Sequence, residues 1–250
     1  MTIKDKTVLI TGASRGIGAA TARAFAQLGA KVMLVARSAA DIQKIADQIN
    51  GAGGKAAAKT CDVSDPAQVK AVIETCVASF GALDVLINNA GALEPIEHLN
   101  GSDVAAWAKV IDINVNGVYY AMREALPHMK TGGTILTIGS GAATNALEGW
   151  SAYCTSKAAV HHLNACLDKE ERENGIRALV LSPGTVATDM QRAIKDSGVN
   201  PVSQLDWAAH IPPEWVAKAL VWMCSPDADD WLGQVISLRE DTIRKRIGLI

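Results

Sequence analysis

Short aliphatic runs alternate with longer amphipathic stretches along nearly the whole chain. Thr7–Ile10 (TVLI) is apolar throughout and ends at the glycine-rich stretch Thr11–Gly18. Ala20, Ala24 and Leu28 then recur at helical spacing, with Gly29 closing the pattern. Lys31–Ala36 (KVMLVA) predicts a second strand, and Ala39–Asn50 a second helix stopped by Gly51, Gly53 and Gly54. Ala56–Cys61 predicts a weak third strand. Asp65-Pro66 opens the next helix in the cap-then-proline order, and it runs to Phe80 before Gly81. Asp84–Asn88 predicts a fourth strand, Asp103–Met129 one long helix, and Gly133–Gly139 a fifth strand. Ser151–Asn174 reads as another long helix, followed by strands at Ile176–Ser182 and Gln234–Leu238.

Strands that read as unbroken aliphatic runs are those buried on both faces, as in parallel sheets covered by helices. The alternation therefore predicts an α/β fold: a single-domain Rossmann-type, doubly wound parallel sheet of about seven strands with helices on both faces. No linker or composition break divides residues 1–250, so one domain is expected. Only 185–212 breaks the rhythm. A connection of that length predicts a lid or binding loop.

Composition narrows the function classes. Hydrophobic residues make up 49% and charged residues 20%, which suits a buried core, while aromatics are only 4%. The net charge of −2 and the single short basic run Arg244-Lys245-Arg246, read as a solvated tail face, predict no nucleic-acid partner. No stretch is apolar enough to span a bilayer, and polar Met1–Lys6 lacks a signal peptide's apolar core. A cytoplasmic protein without a membrane partner is expected. The five cysteines (Cys61, Cys76, Cys154, Cys166, Cys224) include no C-x-x-C pair and read as reduced thiols. His161 and His162 are adjacent, so on a helix they point about 100° apart, and no metal site is expected.

Chemistry concentrates where strands meet helices. Ligands of such sheets bind beyond the carboxyl ends of the strands, where helix N-termini present backbone N–H groups. In T11-G-A-S-R-G-I-G18, Gly12, Gly16 and Gly18 keep side chains away from a pyrophosphate, although the spacing is not the generic G-x-G-x-x-G. Strand two ends Val35-Ala36-Arg37-Ser38, with no acid before Asp41 to accept from a ribose 2′-hydroxyl. Arg37 and Arg15, with Ser38, are instead suited to a 2′-phosphate, which predicts NADP(H). Tyr153 and Lys157 stand at i and i+4, so one helix face carries both. A tyrosine pKa of about 10 is high for proton exchange at neutral pH, and a nearby ammonium, with the positive nicotinamide of the oxidised cofactor, is expected to lower it.

The string TGASRGIG, with the motifs that follow it in order, resembles the short-chain dehydrogenase/reductase family. C61-D-V63 resembles the family segment in which an Asp side chain (here Asp62) and the next backbone N–H (Val63) hold the adenine. N88-N-A-G91 resembles the motif bordering the adenosine, placing Asn89, Ala90 and Gly91 there. Y153-C-T-S-K157, with Ser140 thirteen residues upstream and Asn114 in D112-I-N-V115, is similar to the family's catalytic set. The resemblance implies hydride transfer between nicotinamide and a carbonyl/alcohol pair. Tyr153 would be the acid or base and Ser140 the partner of the substrate oxygen. Lys157 would bind the nicotinamide ribose, and Asn114 would hold a water that relays protons from Lys157. S182-P-G-T185 resembles the turn sheltering the nicotinamide, which adds Pro183, Gly184, Val186 and Thr188 to Ser14, Arg15 and Ile17 as cofactor contacts.

Substrate choice is expected around the cleft and lid, at Leu93, Glu94, Leu147, Trp150, Met190, Ile194, Val199, Leu205 and Trp207, with Leu147, Trp150 and Met190 beside Ser140 and Tyr153 foremost. Their apolar character favours a moderately hydrophobic carbonyl compound, which points to a carbonyl reductase. A 3-oxoacyl-carrier reductase is an alternative and requires a basic docking surface, for which Lys130, Arg172, Arg192 and Lys195 are the candidates. A non-catalytic cofactor-binding sensor or scaffold is a third reading. The family commonly ends in Gly-Gly after its last strand. This chain reads Gly233-Gln-Val-Ile-Ser-Leu-Arg-Glu240, so a homo-oligomer is expected as a dimer as readily as a tetramer. The tail 241–250 is expected against a neighbouring subunit or over the cleft.

Overall fold

Each aliphatic run becomes a strand of one sheet: β1 (Thr7–Thr11), β2 (Lys31–Ala36), β3 (Lys55–Thr60), β4 (Val85–Asn88), β5 (Thr134–Ile138), β6 (Arg177–Ser182) and β7 (Val235–Ser237). They lie parallel in the order β3-β2-β1-β4-β5-β6-β7 in a computed structural model that describes residues 2–250. The connecting helices are α1 (Gly16–Gln27), α2 (Ala39–Gly51), α3 (Pro66–Phe80), α4 (Val104–Ile111), α5 (Gly117–Ala125), α6 (Ser151–Glu171), α7 (Asp189–Ser197), α8 (Pro213–Met223) and α9 (Asp241–Ile247). Successive strand residues face opposite sides, and both sides are apolar. Val8, Ile10, Val32, Leu34 and Leu181 pack with Phe25 of α1, Ile42 of α2 and Leu220 of α8. Leu9, Met33, Leu86 and Ile135 pack with Ile73 of α3, Met122 of α5 and Val160 of α6. Two apolar faces are why these strands show no hydrophobic–polar alternation. The strand order reverses between β1 and β4, and that reversal opens a crevice at the carboxyl ends.

Local signals explain most element ends. Asp65 caps α3 by accepting from the backbone of Ala67 (2.9 Å) and Gln68 (3.3 Å), Pro66 follows, and Gly81 ends the helix at φ +85. The one helix expected over 103–129 is instead α4, a π-helical turn at Asp112–Asn116, α5, and a 3-10 turn at Leu126–His128. The wider turn buries Asn114 while Val118, Ala121, Met122 and Ala125 of α5 stay on the core side. Pro127, lacking an N–H, ends regular helix before Met129.

The tail departs from one of its two expected placements, the one over the cleft. Residues 241–250 neither cover the cleft nor stand clear of the body. Ile243 and Ile247 of α9 are buried in this chain's own core, and Lys218 of α8 donates to the Gly248 carbonyl at 2.6 Å. The basic run is not simply solvated. Arg246 lies 4.8 Å from the Trp231 ring centroid and Arg244 6.0 Å from that of Trp215, so both guanidinium groups stack on indoles of this chain.

Segment 185–212 is pinned at its base, where Ala187 donates to the Ile211 carbonyl and Ile211 to that of Thr185, both at 3.0 Å. Between these points run α7 and two 3-10 turns. All five cysteines are free, and burial pushes the Cys76 and Cys224 thiols up to about 12, which leaves them unreactive. Among the described residues no helix is long and apolar enough to cross a membrane, and no group of three His, Cys, Asp or Glu residues could hold a metal ion.

Candidate active site

The crevice is a cleft of about 900 Å³ along the carboxyl ends of the strands. Its floor begins at the glycine-rich turn between β1 and α1. Gly12 takes φ +65, and a Cβ there would stand 2.8 Å from the Ala90 Cα. Gly18 does not line the cleft. A Cβ on it would meet the Gly12 carbonyl at 2.3 Å, so this glycine lets α1 dock against the turn. Asn89 fastens the turn from the other side, with Nδ2 donating to the carbonyls of Thr11 (2.8 Å) and Gly12 (3.0 Å). Thr11, absent from the sequence-predicted set, accepts at Oγ1 from the backbone N–H groups of Asn89 (3.0 Å) and Ala90 (3.1 Å). Its only sequence signal is a hydroxyl at the last position of an aliphatic strand. No side chain caps α1 at Arg15, so its first N–H groups stay open toward a cleft also lined by Ser14, Gly16 and Ile17. An uncapped helix N-terminus opened by Gly12 and Gly16 fits a dinucleotide pyrophosphate.

At the far end of that floor, Arg37 and Ser38 line the cleft after β2. Arg37 is exposed, and among the described residues no acid pairs with it. Arg15, the other half of the expected clamp, reaches Asp189 at the start of α7 (3.5 Å). Asp41, in the first turn of α2, also lines the wall, and Ser38 Oγ donates to it at 2.6 Å. Asp62 and Val63 line the cleft after β3. Burial raises the Asp62 carboxyl, but hydrogen bonds from Ser64 and the charge of Lys109 together hold it below its ordinary value.

The opposite end gathers Ser140, Tyr153 and Lys157. Ser140 follows β5, while Tyr153 and Lys157 stand one turn apart on α6 with all three side chains on the cleft wall. Lys157 Nζ donates to the Ile138 carbonyl at 2.7 Å and lies 5.6 Å from the Tyr153 ring centroid. Burial depresses the Lys157 ammonium to about 8. Burial raises the Tyr153 phenol above its ordinary value, and only the hydrogen bond from Ser140 pulls it back. The expectation that Lys157 lowers the phenol is therefore not met by this chain alone. The ammonium is aimed at a backbone carbonyl, and desolvation outweighs its field at the ring.

Asn114 is buried behind this wall rather than on it. Its Oδ1 accepts from Ala92 N–H (2.8 Å), and its Nδ2 donates to the Ala92 carbonyl (2.8 Å) and to Ser156 Oγ (2.9 Å). Ser156 in turn donates to the Tyr153 carbonyl at 2.8 Å, a link the sequence analysis missed. Asn114 thus ties the loop after β4 to α6 at the level of Tyr153, and a Cβ added at Gly91 would stand 3.5 Å from Asn114 Oδ1 and 3.9 Å from Lys157 Nζ.

Above Tyr153 the wall turns apolar. Leu93, Ala142, Trp150 and Ile194 are buried together, with Leu147, Met190 and Val202 packed against them, and Trp150 meets Tyr153 edge-to-face at 5.5 Å. Glu94 lines the mouth, and Pro183, Gly184, Val186 and Thr188 line the floor after β6. Of the other expected substrate residues, Val199, Leu205 and Trp207 fall outside the cleft. Val199 packs over Gly149, and Trp207 is exposed beneath the Arg192 guanidinium. The four basic candidates do not form one surface, since only Arg192 and Lys195 stand on α7 beside the cleft. Lys130 and Arg172 flank the amino ends of β5 and β6, opposite the cleft, and Arg172 and Arg192 are ion-paired to Asp168 and Asp189.

Comparison with known proteins gives one family. The short chain dehydrogenase family matches residues 6–198. The cyclohexanol dehydrogenase of Acinetobacter sp. is 33% identical over 229 residues, covering 90% of this chain and 89% of that enzyme. The 3-oxoacyl-[acyl-carrier-protein] reductase of Escherichia coli is 34% identical over 244 residues, 94% of this chain and 96% of that one. A short chain dehydrogenase from Burkholderia cenocepacia, solved in complex with NADP, superposes with a TM-score of 0.84 at 28% identity, covering 95% and 97% of the two chains.

Proposed function

The chain belongs to the short-chain dehydrogenase family, and on that premise we propose that it is an NADP(H)-dependent carbonyl reductase acting on small to medium apolar ketones or the matching secondary alcohols. The observation that carries this reading is the convergence of Ser140, Tyr153 and Lys157 on one wall of a cleft whose other end presents the unpaired Arg37. When bound, the nicotinamide supplies the hydride in reduction and takes it up in oxidation. The chain does the rest. Tyr153, kept as a neutral phenol by burial, gives its proton to the carbonyl oxygen, and Ser140 hydrogen-bonds the same oxygen. Lys157 would hold the ribose hydroxyls. The relay water would fall to Asn114 Oδ1, since a Cβ built on Gly91 would stand 3.5 Å from that oxygen and 3.9 Å from Lys157 Nζ.

Three features shape the substrate and cofactor. The wall of Leu93, Leu147, Trp150 and Met190 suits a cyclic or branched ketone, in keeping with the cyclohexanol dehydrogenase relative. Segment 185–212 acts as the lid, contributing Met190, Ile194 and Val202 to that wall. Arg37 reads the 2′-phosphate, and Arg15 joins it by leaving Asp189, an exposed pair that costs little to break. With Lys130 and Arg172 at the opposite end of the sheet, the acyl-carrier reading has only Arg192 and Lys195 of its four basic candidates beside the cleft and takes second place. Titrating NADPH and NADH tests the cofactor reading: the wild type binds NADPH at least about tenfold more tightly, roughly 1.4 kcal/mol. Arg37→Asp abolishes or inverts that ratio. Equal affinities in the wild type, or an unchanged ratio in the variant, contradict it. Turnover on a panel of cyclic ketones, diketones and acyl thioesters tests the substrate class.

A further inference from the structure

Helix α6 grips the end of β5 at two points. Lys157 holds the Ile138 carbonyl at 2.7 Å. One turn later His161 Nε2 accepts the backbone N–H of Ser140 at 3.3 Å. Gly139 passes between them with no room to spare, since a Cβ there would stand 2.2 Å from His161 Nε2 and 2.5 Å from Val180 Cγ1. Tyr153, Lys157 and His161 recur every four residues, so one stripe of α6 carries the phenol, the ammonium and the imidazole. Ser140 itself is extended, its hydroxyl accepts from Ala142 N–H at 3.1 Å, and it stands on the cleft wall with Tyr153, whose phenol it lowers. Its backbone N–H therefore sets where that hydroxyl sits.

We infer that His161 is a positioning residue for Ser140: its unprotonated Nε2 fixes the serine backbone so that the hydroxyl meets both the Tyr153 phenol and the reacting oxygen. The inference rests on the hydride-transfer reading given above. An imidazole that accepts at Nε2 carries its proton on Nδ1 and is neutral. Burial first, and the Lys157 charge second, hold the ring's pKa down at about 4, which keeps that state in place at neutral pH. The stripe was open to view in the sequence, but a histidine beside a second histidine suggests metal chemistry or a solvated face before it suggests a backbone acceptor.

Two substitutions separate positioning from bulk. His161→Leu keeps apolar volume and removes the acceptor, whereas His161→Gln returns an acceptor near the Nε2 position. His161→Leu lowers kcat on a confirmed ketone by about tenfold to a hundredfold, because a displaced hydroxyl loses its alignment. NADPH affinity stays within about twofold, and His161→Gln recovers most of the loss. In a Ser140→Ala background, His161→Leu changes kcat by less than about twofold, since the group it positions is gone. A His161→Leu enzyme with wild-type kcat, equal losses in both variants, or a full loss persisting without the Ser140 hydroxyl would each overturn the inference. If His161→Leu does not fold, the wild-type ring decides. Its ¹⁵N resonances show a proton on Nδ1 and a bare Nε2 between about pH 6 and 8, and a proton on Nε2 overturns the assignment. That readout needs no turnover. A protein inactive on every ketone but showing this tautomer would sink the hydride-transfer reading and leave the imidazole–Ser140 contact standing.

Discussion

Tyr153 is buried against Trp150, and desolvation keeps its phenol protonated beyond its ordinary range, while Ser140 works in the opposite direction. The sign of the pH dependence follows. Ketone reduction needs the phenol, so kcat/KM stays level through neutral pH and falls on the alkaline side. Alcohol oxidation needs the phenolate and rises over the same limb. The hydrogen bond from Ser140 favours the phenolate, so Ser140→Ala moves that limb to higher pH as well as slowing the reaction. Tyr153→Phe removes the limb and costs about 10²–10⁴ in turnover while NADPH still binds. Rate profiles from pH 6 to 11 check both variants, and an unmoved limb in Ser140→Ala contradicts the assignment. At this scale the sequence was informative where chemistry follows from spacing. Tyr153 and Lys157 at i and i+4 had to share a face, and the missing acid after β2 left Arg37 unpaired. What the spacing hid was direction: Lys157 points at the Ile138 carbonyl, Arg15 at Asp189, and Asn114 at Ala92 and Ser156. Side-chain partners contributed by distant segments leave no periodic trace.

Among the elements, α9 shows how a short helix escapes a sequence reading. Seven residues span about two turns, too few for a hydrophobic stripe to stand out, so only contact with α8 reveals Ile243 and Ile247 as core. Ile243→Ala should lower unfolding free energy by about 2–5 kcal/mol and leave solution mass and ketone KM unchanged. Chemical denaturation with parallel light scattering checks this, and a change in mass would return the tail to a subunit contact. The seven strands were legible almost to the residue, because an aliphatic run flanked by glycine or a cap has few other readings. The π turn at Asp112–Asn116 was not. One extra residue in a turn leaves the helical pattern on both sides nearly intact, and only the buried Asn114 gives it away.

For the molecule as a whole, strand order decides where chemistry can occur. The reversal between β1 and β4 places the glycine-rich turn, the loop after β4 and the end of β5 along one edge, and under the proposed function a cofactor laid across them would bring its nicotinamide to Ser140 and Tyr153. The parallel sheet followed from counting aliphatic runs, whereas its strand order did not. The substrate did not, because the lid wall is built from ordinary apolar residues whose neighbours are set by the fold. The central claim is a hydride passing between nicotinamide and carbonyl carbon. NADPH deuterated at the transferable C4 position, incubated with a cyclic ketone and analysed by mass spectrometry of the product, reads that event directly. The account predicts one deuterium on the carbinol carbon with the wild type and almost none with Tyr153→Phe. Alcohol formed without label, or label transferred equally well by Tyr153→Phe, would contradict it.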